Sequence, residues 1–244
     1  MKNSEVETHG RRAVIELREK IISGEFPGGM RLFEVAMAEK LDISRTPVRE
    51  ALSRLVEEGL LDRLPNGGFT VRRFGYADVV DSIELRGVME GTAARLAAER
   101  GVAPDGLARI NDIVARLDDC FGASRDDVDF DVYSDLNEAF HHELAGLCGS
   151  NVILREVERA SALPFASPSA FIPNKTDIAA FLRSLWLAQE QHRQIVNAIA
   201  AREGARAEAI AREHARTARH NLEYIFNQKP ELLQQLPGLA LIHR

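Results

Sequence analysis

Arg45 and Arg49 stand four residues apart in the run ISRTPVREALSRL, residues 43–55. In a helix, positions so spaced share one face. A guanidinium is a planar fork whose donors match the two acceptors on the major-groove edge of guanine, so this pair is chemistry for reading DNA sequence. Ser44 or Thr46 can cap the helix, and Pro47 is tolerated only in its first turn. A second group carries different chemistry. Asn137 and His141, again four apart, set an amide oxygen and an imidazole on one helical face; His192 lies in EQHRQIVNAI and His214 in AREHARTARHNL. Each neighbours apolar positions (Phe140, Ile195, Ile210) that face a helix-bundle interior. Imidazoles converging from three helices suit a divalent transition metal such as zinc, nickel or manganese. The same spacing also fits interior histidines satisfied by ordinary hydrogen bonds. His142 and His220 belong to other helix faces and are expected nearer the surface.

The elements that must position these residues are readable from periodicity. Val48, Leu52 and Leu55 form the apolar stripe that seats the arginine-bearing helix. Before it, residues 13–22 are amphipathic through Val14, Leu17, Ile21 and Ile22, and Gly24, Pro27, Gly28 and Gly29 break the pattern. Residues 32–41 read as a second short helix with Val35, Ala38 and Leu41 inward, and Asp42, Ile43 and Ser44 as a tight turn. Gly59 ends the reading helix, and LLDRL and FTVRR flank Pro65-Asn66-Gly67-Gly68, a strong hairpin signal. Three helices and a hairpin make a winged helix-turn-helix. From Ala77 the periodicity is helical throughout, over 77–100, 107–120, 128–148, 153–162, 181–201 and 205–226. Residues 161–177, with Pro164, Pro168 and Pro173, are expected as a bend or lid. The expected fold is mainly α: a winged helix-turn-helix over 1–76, an all-helical antiparallel bundle over 77–228, and a tail over 229–244.

The stretch from IISGEFPGGM to NGGFTVR, with SRTPVREAL, EEGL and the NGG turn, is similar to the DNA-binding domain of the GntR family of bacterial transcription regulators over roughly residues 11–73. The resemblance implies that Arg45 and Arg49 contact bases, that Ser44 and Thr46 contact backbone phosphates, and that Gly67 or Gly68 sits at the wing tip in the minor groove. LRGVMEGTAARLAAERG, LNEAFHHELAGLCGSN and EQHRQIVNAI resemble the FCD effector domain of one GntR subfamily. That resemblance implies a metal held by His141, His192 and His214 with the residue at 137, which is Asn137 here where many relatives have aspartate. It further implies a small carboxylate effector, with Arg86 facing its cavity, and a homodimer on a short palindromic operator that acts as a repressor released by its ligand.

Residues 1–76 carry 13 Lys/Arg against 12 Asp/Glu and the remainder 18 against 25, so the first domain is near neutral and DNA binding must depend on where its arginines sit. Two isolated cysteines, Cys120 and Cys148, fit a reducing compartment. With no signal peptide and no long apolar run, a soluble cytoplasmic chain is expected, off the membrane. Three alternatives stand beside this reading. One is a regulator whose effector pocket holds no metal. Another is an architectural DNA-binding protein without an effector. The third is a metal-dependent hydrolase centred on the histidines, for which no carboxylate is visibly placed as general base; no enzyme is expected.

Overall fold

Asp42 sets the angle between the two helices of the reading motif. Its backbone is left-handed (φ 52°, ψ 46°), and its N–H returns to the carbonyls of Ala38 and Glu39, closing one helix before the next begins. Aspartate is among the few residues other than glycine that visit this conformation readily. The computed structural model describes residues 2–122, 128–163, 165–169, 178–229 and 239–243. Around this turn lie α1 (Lys2–Ile22), β1 (Arg31–Leu32), α2 (Glu34–Leu41), α3 (Arg45–Glu57), β2 (Leu61–Arg63), β3 (Phe69–Val71) and β4 (Phe74–Gly75). α3 packs on α1 and α2 through Val48, Ala51, Leu52 and Leu55, all buried, against Ala13, Val14, Leu17 and Ile21. Truncating one of these leucines to alanine removes about 2–5 kcal/mol, because the cavity collapses only partly.

The second helix is shorter than its sequence pattern suggests. Arg31 and Leu32 leave it to pair antiparallel with β3, giving a three-stranded sheet of order β1-β3-β2 with Leu32 fully buried. Val35, expected inward, is half exposed, and Met37 joins Ala38 and Leu41 in the core instead. The reason is angular: positions 37, 38 and 41 share a helical face that 35 does not. The wing hairpin β2–β3 forms as expected, pairing Leu61 with Val71 and Arg63 with Phe69.

From Tyr76 to Gln228 the elements are helices: α4 (Tyr76–Arg100), α5 (Pro104–Asp119), α6 (Phe130–Leu147), α7 (Asn151–Ser161), α8 (Ile178–Ala200) and α9 (Gly204–Gln228). Pro104 occupies the first turn of α5, Asp129 caps α6 by accepting from Val132 N, and Ser150 caps α7 by accepting from Ile153 N. The bundle core is built from Ala94, Ala97, Ile110, Leu117, Phe140, Leu144, Ile195, Ile199 and Ala211. Close approach of α4 and α9 depends on Gly87, where a Cβ would lie 2.8 Å from that of Ala215. Part of the expected bend at 161–177, including Pro164 and Pro173, lies outside the described residues.

The chain divides into two compact units, residues 1–79 with the C-terminal stretch from 231, and residues 80–230. The stretch expected as a separate tail therefore returns to the first unit. Its β5 (Ile242–His243) pairs parallel with β4, and the buried Leu239, Leu241 and Ile242 supply the apolar surface that anchors it. Cys120 and Cys148 are both free and buried.

Candidate DNA-reading face and histidine centre

Ser44, Arg45, Thr46 and Arg49 all lie exposed on the first two turns of α3. Ser44 occupies the N-cap position, yet its hydroxyl makes no capping bond, so the expected cap is positional only. The amides of this first turn and the two hydroxyls thus face outward together. The arginines are not loose. Arg49 Nε donates to Glu34 Oε1 at 2.9 Å, and Arg45 Nη2 lies 3.7 Å from Glu34 Oε2. Arg49's hydrogen bond holds the Glu34 carboxyl below its ordinary range, and Glu34 in turn raises Arg49. At the wing, Gly67 and Gly68 have φ of 85° and 83°, the left-handed region that favours glycine. A Cβ at Gly67 would meet nothing within 4 Å, whereas one at Gly68 would press on the Phe33 ring at 3.0 Å.

In the second unit α6, α8 and α9 bring His141, His192 and His214 together, all buried, with candidate ligand nitrogens within 4.8 Å of one another. His192 Nε2 and His214 Nε2 are 3.1 Å apart, and His214 Nε2 and His141 Nε2 are 3.2 Å apart. Every ring's other nitrogen has an oxygen partner: His141 Nδ1 on Glu90 Oε1 at 2.8 Å, His192 Nδ1 on Gln189 Oε1 at 3.0 Å, and His214 Nδ1 on Gln191 Oε1 at 3.1 Å. The Gln189 amide is itself oriented, because its nitrogen donates to Val114 O and to the Asp118 carboxylate. Each Nδ1 donates its proton to its oxygen, which leaves Nε2 as the atom that each ring turns toward the other two. Burial first, and the neighbouring rings second, lower the pKa of His192 and His214 well below the ordinary histidine value and keep them neutral. His214 Nε2 is close enough to both neighbours that a shared cation would relieve the repulsion of facing lone pairs. Tetrahedral zinc–imidazole geometry sets such nitrogens about 3.3 Å apart, so the donor set fits a metal.

Glu90 was not singled out by the sequence, and it is central. It is fully buried on α4, bonded to His141 and ion-paired with Arg86 Nη1 at 3.2 Å. Burial pushes its carboxyl up, but the Arg86 guanidinium and then His141 overcome this and hold it at about 2. The carboxylate absent from the expected hydrolytic constellation is thus present, on the Nδ1 side of His141, and bound to a cation that leaves it a poor base. Its signal was the stripe Ile83, Arg86, Glu90, Ala93, Ala97, which is helical spacing and buried throughout, whereas Leu85 is half exposed.

Asn137 is buried beside the cluster, its amide nitrogen donating to Ser169 Oγ at 3.3 Å. With Arg86, Tyr133, Pro168, His214 and Thr217 it lines a cavity of about 30 Å³, room for roughly two waters. Two buried side-chain atoms on this wall, Arg86 Nε and Tyr133 Oη, have no hydrogen-bond partner among the described residues. A larger cavity of about 300 Å³ reaches His141 from the α7 side and is lined by Glu138, His142 and Glu158. His142 and His220 are exposed, as expected.

A winged reading helix joined to an all-helical unit with a polar centre defines a two-part DNA-binding regulator. Residues 10–71 match the bacterial regulatory proteins of the gntR family and residues 81–217 the FCD domain, so the chain belongs to the GntR family, FCD type, whose members are transcription regulators and not enzymes. It is 35% identical over 140 residues, 57% of this chain and 64% of the relative, to the Nta operon transcriptional regulator of Aminobacter aminovorans. To an HTH-type transcriptional regulator in an unstable DNA locus of Streptomyces ambofaciens it is 30% identical, covering 92% of this chain and 89% of that one. Its fold matches Escherichia coli McbR/YncC with a TM-score of 0.61 at 20% identity, covering 90% of this chain and 98% of the other. Among the described residues no helix is long and apolar enough to cross a membrane.

Proposed function

We propose that this chain is an effector-released repressor that works in the cytoplasm as a homodimer on a short palindromic operator. Its bundle senses a small carboxylate through a divalent transition metal, zinc, nickel or manganese, held by His141, His192 and His214 with Asn137 Oδ1 as a neutral fourth donor. The observation that carries the sensor is the set of three Nε2 lone pairs, each fixed by a bonded Nδ1. Because every proposed ligand is neutral, a bound dication keeps its full charge toward an anion, with Glu90 compensating only from behind His141. Size alone would send a ligand to the larger cavity, but Glu138 and Glu158 repel a carboxylate there. The smaller cavity offers Arg86 Nε and Tyr133 Oη, two buried donors in need of acceptors.

On the DNA side, Arg45 and Arg49 read base edges, Ser44, Thr46 and the first amides of α3 hold phosphates, and the Gly67–Gly68 tip enters the minor groove. Effector binding shifts operator affinity by its differential affinity for two arrangements of the dimer. The test is metal content of protein prepared without chelator, beside His192→Ala/His214→Ala, followed by operator release on adding candidate carboxylates. Metal in the wild type and none in the variant supports the reading. No metal, even after incubation with zinc, nickel and manganese, leaves the second reading, a metal-free pocket, which the two unpartnered donors Arg86 Nε and Tyr133 Oη independently favour.

A further inference from the structure

Glu34 stands between the two reading arginines, and for a protein that merely grips DNA this is the wrong charge in the wrong place. A carboxylate near the phosphate backbone repels it and weakens every duplex alike. Its position is nonetheless well held. Glu34 is the first residue of α2, where the helix N-terminus favours an anion, and its side chain is only 22% exposed. The arginines it touches are about 60% exposed, 61% for Arg45 and 58% for Arg49, and among the described residues Glu34 is the carboxylate that pairs with both. The contacts also leave the forks usable. Arg49 is held through Nε, with both terminal nitrogens free for a base edge, and Arg45 is held through one terminal nitrogen.

Without that carboxylate, each long side chain would turn to the nearest anion on DNA, a phosphate, which carries no sequence information. We infer that Glu34 is a specificity-determining residue: it clamps both guanidinium forks toward the bases and denies them to the phosphates, exchanging general affinity for discrimination. This inference rests on the proposed reading role of Arg45 and Arg49. The alternative is an ordinary surface ion pair, of the kind that contributes little to anything.

The experiment measures binding of full-length wild type, Glu34→Gln, Glu34→Ala and Arg49→Ala by fluorescence anisotropy. The probes are the duplex that wild type enriches from a randomised library and a scrambled duplex, each at two salt concentrations. Circular dichroism confirms the fold. Glu34→Ala is expected to bind the scrambled duplex more tightly, with a steeper salt dependence by up to about 0.9 in log–log slope as an arginine reaches a phosphate. The ratio of enriched to scrambled affinity should fall about tenfold. Glu34→Gln, which keeps an oxygen acceptor and loses the charge, should fall between. If both duplexes gain equally and the ratio holds, Glu34 is only an electrostatic brake and the clamp is overturned. If neither affinity changes while Arg49→Ala loses its ratio, Glu34 is a bystander and the reading arginines stand. If wild type itself shows no preference, the reading role falls and takes the clamp with it.

Discussion

Arg45 and Arg49 are more than half exposed and tied to a single carboxylate, whereas His141, His192 and His214 are buried and each is tied to its own oxygen. The proposed reading face can therefore be rearranged by a partner, because exposed side chains can exchange Glu34 for another acceptor at small cost. The histidine centre cannot rearrange, because its tautomers and ring directions are set by residues on α4 and α8 before any ligand arrives. On the proposed reading, one region would recognise by re-pairing and the other by being ready in advance.

The sharpest way to break this contrast is His192→Ala/His214→Ala. It should lower bound metal from about one per chain to none, while α3 keeps its operator preference. Metal retained in the variant would mean the three lone pairs are not the site. Next in size is Glu90→Ala, which strands the buried Arg86 charge and should cost about 3–5 kcal/mol in chemical denaturation. Replacing Arg86 and Glu90 together with methionine should recover much of that loss; equal losses in the single and double variants would show the pair is not the cause. Glu90→Gln should also weaken metal binding about ten- to a hundredfold through His141, measured by competition with a chelating dye.

Arg45→Ala and Arg49→Ala should each weaken operator binding about ten- to a hundredfold and relax base preference, with melting temperature unchanged. A fall in stability instead would make the arginines structural and erase the distinction between the two regions. The smallest effects belong to the wing. Gly68→Ala meets left-handed strain and the Phe33 ring, and should cost more than Gly67→Ala, which meets strain alone, about 1–2 kcal/mol. Equal costs would mean that both the ring and the Leu32 carbonyl, 3.1 Å from such a Cβ, give way.

The reading face was legible because its parts are contiguous. Cap position, arginine spacing, apolar stripe and Asn-Gly hairpin all fall within residues 43–71, where local rules apply. Just before that stretch the sequence placed Val35 inside and started α2 two residues early, because the strand pairing of Leu32 with Phe69 is a long-range choice. The three histidines could be picked out from helical phase and the resemblance to the FCD domain. Glu90 was readable only through its place on the stripe of Ile83 and Ala93, and Gln189 and Gln191 not at all, since a buried polar residue on a helix looks like a surface residue until its partner is known. Gln189 depends on Val114 and Asp118 of α5, and nothing near it in the chain announces that.

The return of β5 to β4 has a mechanical consequence. Phe74 and Gly75, paired to Ile242 and His243, immediately precede α4, so the chain passes between its two units twice, once outward and once back. The helical unit is in this sense an insertion within the first unit, not an appendage to it. A nick at the second crossing leaves the units covalently joined through the first, and a nick at the first leaves residues 1–79 held by the pairing of β4 with β5. A chimera that exchanges sensors between relatives therefore has two seams to match, and limited proteolysis should release a free reading unit only after both are cut.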